Sequence, residues 1–278
     1  MRGVNKKAIL FVLLIMLPVY LACTHPVWAE ETIELYVNGV VLGTDKIESD
    51  GITYTFIDDI DGSIEVHADD IIIDGAGYTL NGKADWADPE AEENWGIYVP
   101  RRSNVTVINL QITNFSEAIH LGYSSNNNTF FGNYIEDCES AFSIWDSSFN
   151  NVVFNTIKST NIVVFFGSSN NMFYGNNITI ASVLFYFHGK ENIFDGNYWS
   201  NYTGIDSNGD GIGDTPHCYG SWGSAQYFDD NPLMEPTVLP EVVIPEFPSW
   251  IILPLFLAAT AFALAVRKKR LHNISQAH

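Results

Sequence analysis

Between residues 105 and 199 short apolar runs alternate with Gly, Ser and Asn, and the alternation itself recurs. The stretches NNTFFGNYI, FNNVVFNTI, NNMFYGNNI and ENIFDGNYW align without gaps. Asn128, Asn150, Asn171 and Asn192 form one column, and Phe130, Val152, Phe173 and Phe194 a second. Asn133, Asn155, Asn176 and Asn197 form a third, and Ile135, Ile157, Ile178 and Trp199 a fourth, every column spaced by 22, 21 and 21 residues. One turn earlier NVTVINLQI fits with Val107 and Ile112 in the apolar columns, and DDIIIDGAGYTL reads as a further turn.

A period of this length is one supersecondary unit that buries its apolar face only by stacking on its neighbours. Leucine-rich repeats have a similar period, but their signature is missing and no segment carries a helical stripe. The apolar runs, such as Val105-Thr106-Val107-Ile108 and Ile162-Val163-Val164-Phe165-Phe166, are β-favouring and broken by turn residues. Short strands joined by tight turns, coil upon coil, make a parallel β-helix in which equivalent residues lie about 4.8 Å apart. Asn tolerates left-handed backbone angles and bonds neighbouring backbone groups, which suits corners. The Phe and Ile columns fill the interior.

Both ends of the chain read as addressing segments. Residues 1–29 run from a basic start (Arg2, Lys6, Lys7) through an apolar stretch to Val27-Trp28-Ala29, the pattern of a cleaved secretory signal. Ser249 to Val266 is uncharged and mostly apolar, and Arg267, Lys268, Lys269 and Arg270 follow it. Eighteen residues of helix span about 27 Å, near the thickness of a bilayer core. The basic cluster assigns residues 267–278 to the cytoplasm and everything before the span to the outside. Residues 232–248 carry five prolines and form an extended stalk. Residues 30–62 read as an N-terminal cap, 63–199 as the β-helix repeats and 200–231 as a C-terminal cap. GKADWADPEAEENWG, residues 82–96, reads as a loop thrown out from the cylinder.

The charge follows the same division. Between the two addressing segments stand six basic residues against all 33 acidic ones, a net of −27. Such a surface repels nucleic acid and anionic lipid and attracts cations. Once a signal is removed only Cys138 and Cys218 remain; an exported chain can pair them, but one bridge is no disulfide framework.

DDIIIDGAGYTLNG together with the Asn/Phe/Ile coils resembles the NosD-like right-handed parallel β-helix proteins, also described as carbohydrate-binding and sugar-hydrolase repeat domains. GNYWSNYTGIDSNGDGIGDTP resembles the closing element of archaeal surface members of that group, and IPEFPSW resembles archaeal Pro-Glu-Phe anchoring signals. The resemblance covers roughly residues 63–270. It implies an all-β fold: a single-stranded right-handed parallel β-helix (solenoid) with N- and C-terminal caps, plus one C-terminal transmembrane helix. It implies a surface location, and it leaves activity open, since such helices host lyases, hydrolases, copper-delivery factors and inert surface proteins.

Candidate chemistry is sparse. In DSNGDGIGD, Asp206, Asn208, Asp210, Ile212 (through its carbonyl) and Asp214 have the spacing of a calcium loop, with Gly211 at the sharp turn. His217 stands where an EF-hand has its glutamate, so the alternatives are a shorter calcium loop and a solvated Asx/Gly turn series. Sequons at Asn104, Asn114, Asn127, Asn177 and Asn201 are expected outside the cell and open to glycosylation. The aromatics Tyr198, Trp199, Tyr202, Tyr219, Trp222, Tyr227 and Phe228 read as a cap over the open end, with a sugar-stacking platform as the alternative. For catalysis, the only Lys or Arg residues from 103 to 199 are Lys158 and Lys190, and Asp137, Glu139, Asp146 and Asp195 fall in different columns. His120 and His188 lack a repeated carboxylate. Copper sites want clustered Cys, Met or His; Met172, His120, His188, Cys138 and Cys218 are scattered. The sequence therefore points to a binding or structural envelope role, with polysaccharide or envelope components as partners and calcium as cofactor. The rival is a polysaccharide lyase or hydrolase.

Overall fold

The structure, a computed structural model, describes residues 32–82, 94–179, 182–186, 191–222 and 225–238. The signal, the residue 249–266 span, the basic tail, His188 and most of the acidic loop at 82–96 lie outside the described residues. Among the described residues no helix is long and apolar enough to cross a membrane.

The described chain coils through three parallel sheets. Sheet 1 contains Thr32–Tyr36, Ser63–Val66, Trp95–Pro100, Glu117–Gly122, Ser140–Trp145, Asn161–Phe166 and Ser182–Tyr186. Sheet 2 runs from Thr53–Phe56 through Ile72–Asp74, Thr106–Ile108, Thr129–Phe131, Asn151–Val153 and Met172–Tyr174 to Ile193–Asp195. Sheet 3 runs from Ile60–Asp61 to Tyr198–Trp199. Antiparallel edge strands, Val40–Leu42 and Ile47–Ser49, close the N-terminal end of sheets 1 and 2. Thr53–Phe56 and Ile60–Asp61 already pair in parallel with the next coil, so stacking begins before residue 63.

The register reproduces the columns read from the sequence. Val107, Phe130, Val152, Phe173 and Phe194 are successive register partners, all buried. Ile112, Ile135, Ile157, Ile178 and Trp199 follow in sheet 3. Sheet 1 supplies the third wall with Ile97, Ile119, Phe142 and Val163, and with Val99, Leu121, Ile144 and Phe165. The rings interlock across the core: Phe142 packs edge-on against Phe130 and Phe173, and Phe173 stacks on Phe194 at 4.4 Å.

Two asparagine ladders hold the corners of sheet 2. Each ladder residue follows one in the left-handed region: Asn127, Phe149, Asn170 and Glu191 on one side, Gly132, Phe154, Gly175 and Gly196 on the other. That reversal of the backbone turns the next side chain inward. At Gly175, φ is +67° and a Cβ would lie 2.4 Å from the Phe154 ring, so only glycine fits. Asn155 shows a complete rung. Its Oδ1 accepts from the Asn133 backbone N–H and from Asn133 Nδ2, while its own Nδ2 donates to Phe130 O and Asn176 Oδ1. Asn128, Asn150, Asn171 and Asn192 repeat the arrangement at the other corner. Where sheet 1 turns toward sheet 2, Ser125, Ser147 and Ser168 form a shorter ladder of the same logic.

The second asparagine ladder ends on a carboxylate. Asp229, fully buried, accepts from Gly196 N and Asn231 N on Oδ1, and from Asn197 N, Asn197 Nδ2 and Trp199 Nε1 on Oδ2. Asp229 closes the hairpin His217–Trp222/Ala225–Asp229, and Tyr219 of that hairpin lies 4.3 Å from Phe194 and covers the last coil. All five groups facing Asp229 are donors, so an acceptor-only side chain suits the end of the ladder, whereas an interior rung must both donate and accept.

Two substitutions separate these roles. Asn155→Asp puts an acceptor against Phe130 O and Asn176 Oδ1 and is expected to cost about 3 kcal/mol or more, since each orphaned buried group costs about 1–3 kcal/mol. Asp229→Asn, which turns an N–H toward donors, is expected to destabilise by a similar route. Denaturant midpoints of the two variants check this, and an unchanged midpoint for Asn155→Asp would remove the ladder from the account of stability.

Candidate functional site

The outward positions of sheet 1 carry the densest array of chemistry among the described residues. Interior positions alternate with outward ones along each strand, so the residues flanking the core columns form the outer face of the sheet, where Trp145 is exposed and His120, Ser140 and Ser143 are buried. The central outward column reads Glu34, Glu65, Tyr98, His120 and Ser143 in register. One column to the side lie Pro100, Gly122, Trp145 and Phe166, and on the other side Trp95 and Ser140 pair with Glu117. Tyr36 and His67 continue the array toward the N-terminal edge.

The rings touch from coil to coil. Tyr36 stacks on His67 at 4.6 Å, Trp95 stacks on His120 at 4.2 Å, and Tyr98 meets His120 edge-on at 5.4 Å. His120 approaches Trp145 at 5.8 Å, and Trp145 stacks on Phe166 at 5.0 Å. Of the six consecutive strands from Thr32–Tyr36 to Asn161–Phe166, five carry a ring on this face, and His67 supplies one directly after Ser63–Val66, which has none. Trp145 and Tyr123 are exposed, and Arg101 lies over the Tyr123 ring at 5.4 Å.

Polar groups are placed among the rings. Glu34 accepts from Tyr36 Oη at 2.7 Å, which raises the pKa of the phenol. Burial raises that of Tyr98, helped by the nearby Tyr123 and Glu65. Glu117 Oε2 lies 2.5 Å from His120 Nδ1, and Glu65 Oε1 lies 3.6 Å from His67 Nε2. His120, which has no repeated carboxylate in the sequence columns, has this single one three residues before it on its own strand. Trp145 Nε1 donates to Ser143 Oγ.

The residues singled out by motif lie elsewhere. In the Asp206–Asp214 loop the acids turn back on their own backbone. Asp206 accepts from the amides of Gly209, Asp210 and Gly211, Asp210 from Ile212, and Asp214 from Ser207, which lowers the Asp214 pKa. Asn208 bridges to Asp210 through both its amide oxygen and nitrogen. Among the described residues no group of three or more His, Cys, Asp and Glu side chains is arranged to hold a metal ion. Asn104, Asn114, Asn127 and Asn201 are exposed at corners and loops, whereas the Asn177 amide is engaged by both backbone groups of Thr237. Trp199 is buried, with Tyr219 packed on it.

The sheet 1 face leaves no motif in the sequence, for a physical reason. Outward positions are not constrained to repeat, so Tyr98, His120 and Ser143 share a register without sharing a chemistry. The signal was nevertheless present: extending the columns one strand upstream of each Asn puts Pro100, Gly122, Trp145 and Phe166 at spacings of 22, 23 and 21 residues.

The sequence model of a family described as Periplasmic copper-binding protein (NosD) matches residues 47–204. Comparison with curated proteins finds no match. Among solved structures the chain is similar to the catalytic domain of a GH87 alpha-1,3-glucanase in complex with nigerose, with 17% identity and a TM-score of 0.30 over 60% of this chain and 33% of that one. The chain thus spans about a third of that domain's length.

Among the described residues the soft donors are not gathered into a copper centre. Cys138 is buried, its thiol pushed up to about 12 by burial, and it donates to Glu136 O. Cys218 is exposed on the terminal hairpin, and both thiols are free. Met172 faces outward from sheet 2 and His120 from sheet 1. A thiol reagent is expected to modify Cys218 in the folded protein and Cys138 only after denaturation; mass mapping of labelled peptides checks this, and rapid native labelling of Cys138 would contradict the packing described.

Proposed function

The chain belongs to the NosD family, and we propose that this member is a polysaccharide-binding protein that uses the aromatic face of sheet 1. The observation that carries the reading is the run of rings, one per coil. Coils rise by about 4.8 Å each, a distance of the same order as one pyranose ring, so consecutive sugars of an extended chain could each meet a ring. Aromatic faces bury the apolar C–H face of a sugar, while Glu34 and Glu65 stand in line with them where hydroxyls would need partners. A preformed, rigid sheet loses little entropy on binding. The export segment and anchoring span expected from the sequence would hold this face outside the membrane. Calcium in the Asp206–Asp214 loop would stiffen the end of the helix and leave this face untouched.

A polysaccharide-cleaving enzyme is the second reading. It is favoured by Glu34 and Glu65, two carboxylates in register on neighbouring strands, since paired carboxylates at short separation are what glycoside hydrolysis uses. Release of reducing ends from a bound polymer would decide for it.

Trp145 is 37% exposed and stacks on Phe166, so Trp145→Ala should lower the melting temperature by some degrees and leave unfolding cooperative. Affinity for a retained polysaccharide should fall about tenfold or more, as for a central aromatic contact. Retardation in gels containing soluble polysaccharides measures this, and undiminished retardation of the variant would refute the assignment of the face.

A further inference from the structure

We propose that the N-terminal half of the sheet 1 face, where Glu34, Glu65 and Glu117 stand beside Trp95, Tyr98 and His120, binds sugars bearing a positively charged amine, that is, polymers of de-N-acetylated hexosamine. The inference rests on the carbohydrate-binding reading and narrows it.

The charge on this half is uncompensated. The side chains of Glu65 and Glu117 are 32% and 22% exposed, and among the described residues none of the three glutamates pairs with Lys or Arg. The nearby cations are committed elsewhere, Arg101 over Tyr123 and Arg102 to Asp69 at 3.8 Å. Each glutamate meets a residue two or three positions further along the chain through one oxygen: Glu34 through Oε2 to Tyr36, Glu117 through Oε2 to His120, and Glu65 through Oε1 to His67. The second oxygen has no partner among the described residues.

Buried polar atoms point the same way. The His120 side chain is 6% exposed, and Glu117 orients it through Nδ1. Its Nε2 has no partner among the described residues and faces the space above Gly122, where a Cβ would come within 3.3 Å of it. Trp95 Nε1 is buried without a partner among the described residues. Unpartnered groups of this kind, next to stacked rings, suit a ligand that brings both hydroxyls and a cation.

An ammonium on a sugar ring supplies three donors and one positive charge. It could take the free carboxylate oxygens in charge-assisted hydrogen bonds and draw on the adjacent ring faces. N-acetylation removes the charge, and a uronate reverses it in front of three carboxylates. The C-terminal half of the face, with Ser140, Ser143, Trp145 and Phe166, carries no such charge, so the preference belongs to one half of the groove.

The test is titration calorimetry of the full-length protein, in low salt just below neutral pH, with oligomers of glucosamine, N-acetylglucosamine, glucose and a uronic acid. Glucosamine oligomers should bind about tenfold tighter than the N-acetylated ones, two or three partly exposed charge pairs being worth that much. In the double variant Glu34→Gln/Glu65→Gln the two affinities should converge. Equal affinity in the unaltered protein overturns the amine preference and leaves the carbohydrate reading standing. A preference that survives in the double variant assigns it to bulk charge and overturns the site. Absence of binding to every oligomer overturns both.

Discussion

Every coil of this molecule turns sharply where no strand pairing reaches, and at those turns buried backbone amides need partners. The asparagine ladders meet that requirement. A carboxamide both accepts and donates, so one Asn per coil can serve the amide of the coil before it, a carbonyl of its own surroundings and the next Asn in the stack. The requirement fixes the repeat length within a residue, because a rung out of line would orphan its neighbours. It also explains the residue in the left-handed region before each rung, including the bulky Phe149 and Phe154, which adopt that conformation although it is costly for them.

Once the corners are locked, the faces follow. Side chains that point inward must repeat in size, since each packs on its copy in the next coil at a fixed spacing. Those that point outward need only remain compatible with a strand. Sheet 1 uses that freedom to lay rings and carboxylates side by side, and the cylinder acts as a rigid rack on which unrelated side chains come into line. Asp229 shows the limit of repetition at the other extreme: at the last coil there is no next rung, and the side chain that replaces it must only accept.

Acidity and aromatic content act together on the proposed face. A surface with a large negative charge discourages anionic polymers over its whole extent, while the rings select extended molecules with apolar faces. The three glutamates add a local preference where the rings are already stacked. The free thiols, set apart at different depths, take no part in it.

The fold was legible in the sequence because periodicity and burial are the same fact in a solenoid: residues that must stack must recur, and Phe130, Val152, Phe173 and Phe194 recur. The asparagine columns were legible for the same reason, and the share of aromatics near residue 199 announced a cover for the open end. The serine ladder of Ser125, Ser147 and Ser168 was equally regular but hidden in a Ser/Asn-rich background. What the sequence could not show was the face. Glu34, Glu65, Tyr98 and His120 are separated by 31, 33 and 22 residues along the chain, follow no repeating type, and become neighbours only when coils of unequal length are brought into register by hydrogen bonding. Repetition encodes the interior of this protein in one dimension. Its surface chemistry exists only in the lateral direction, across strands, and only the folded cylinder creates that direction.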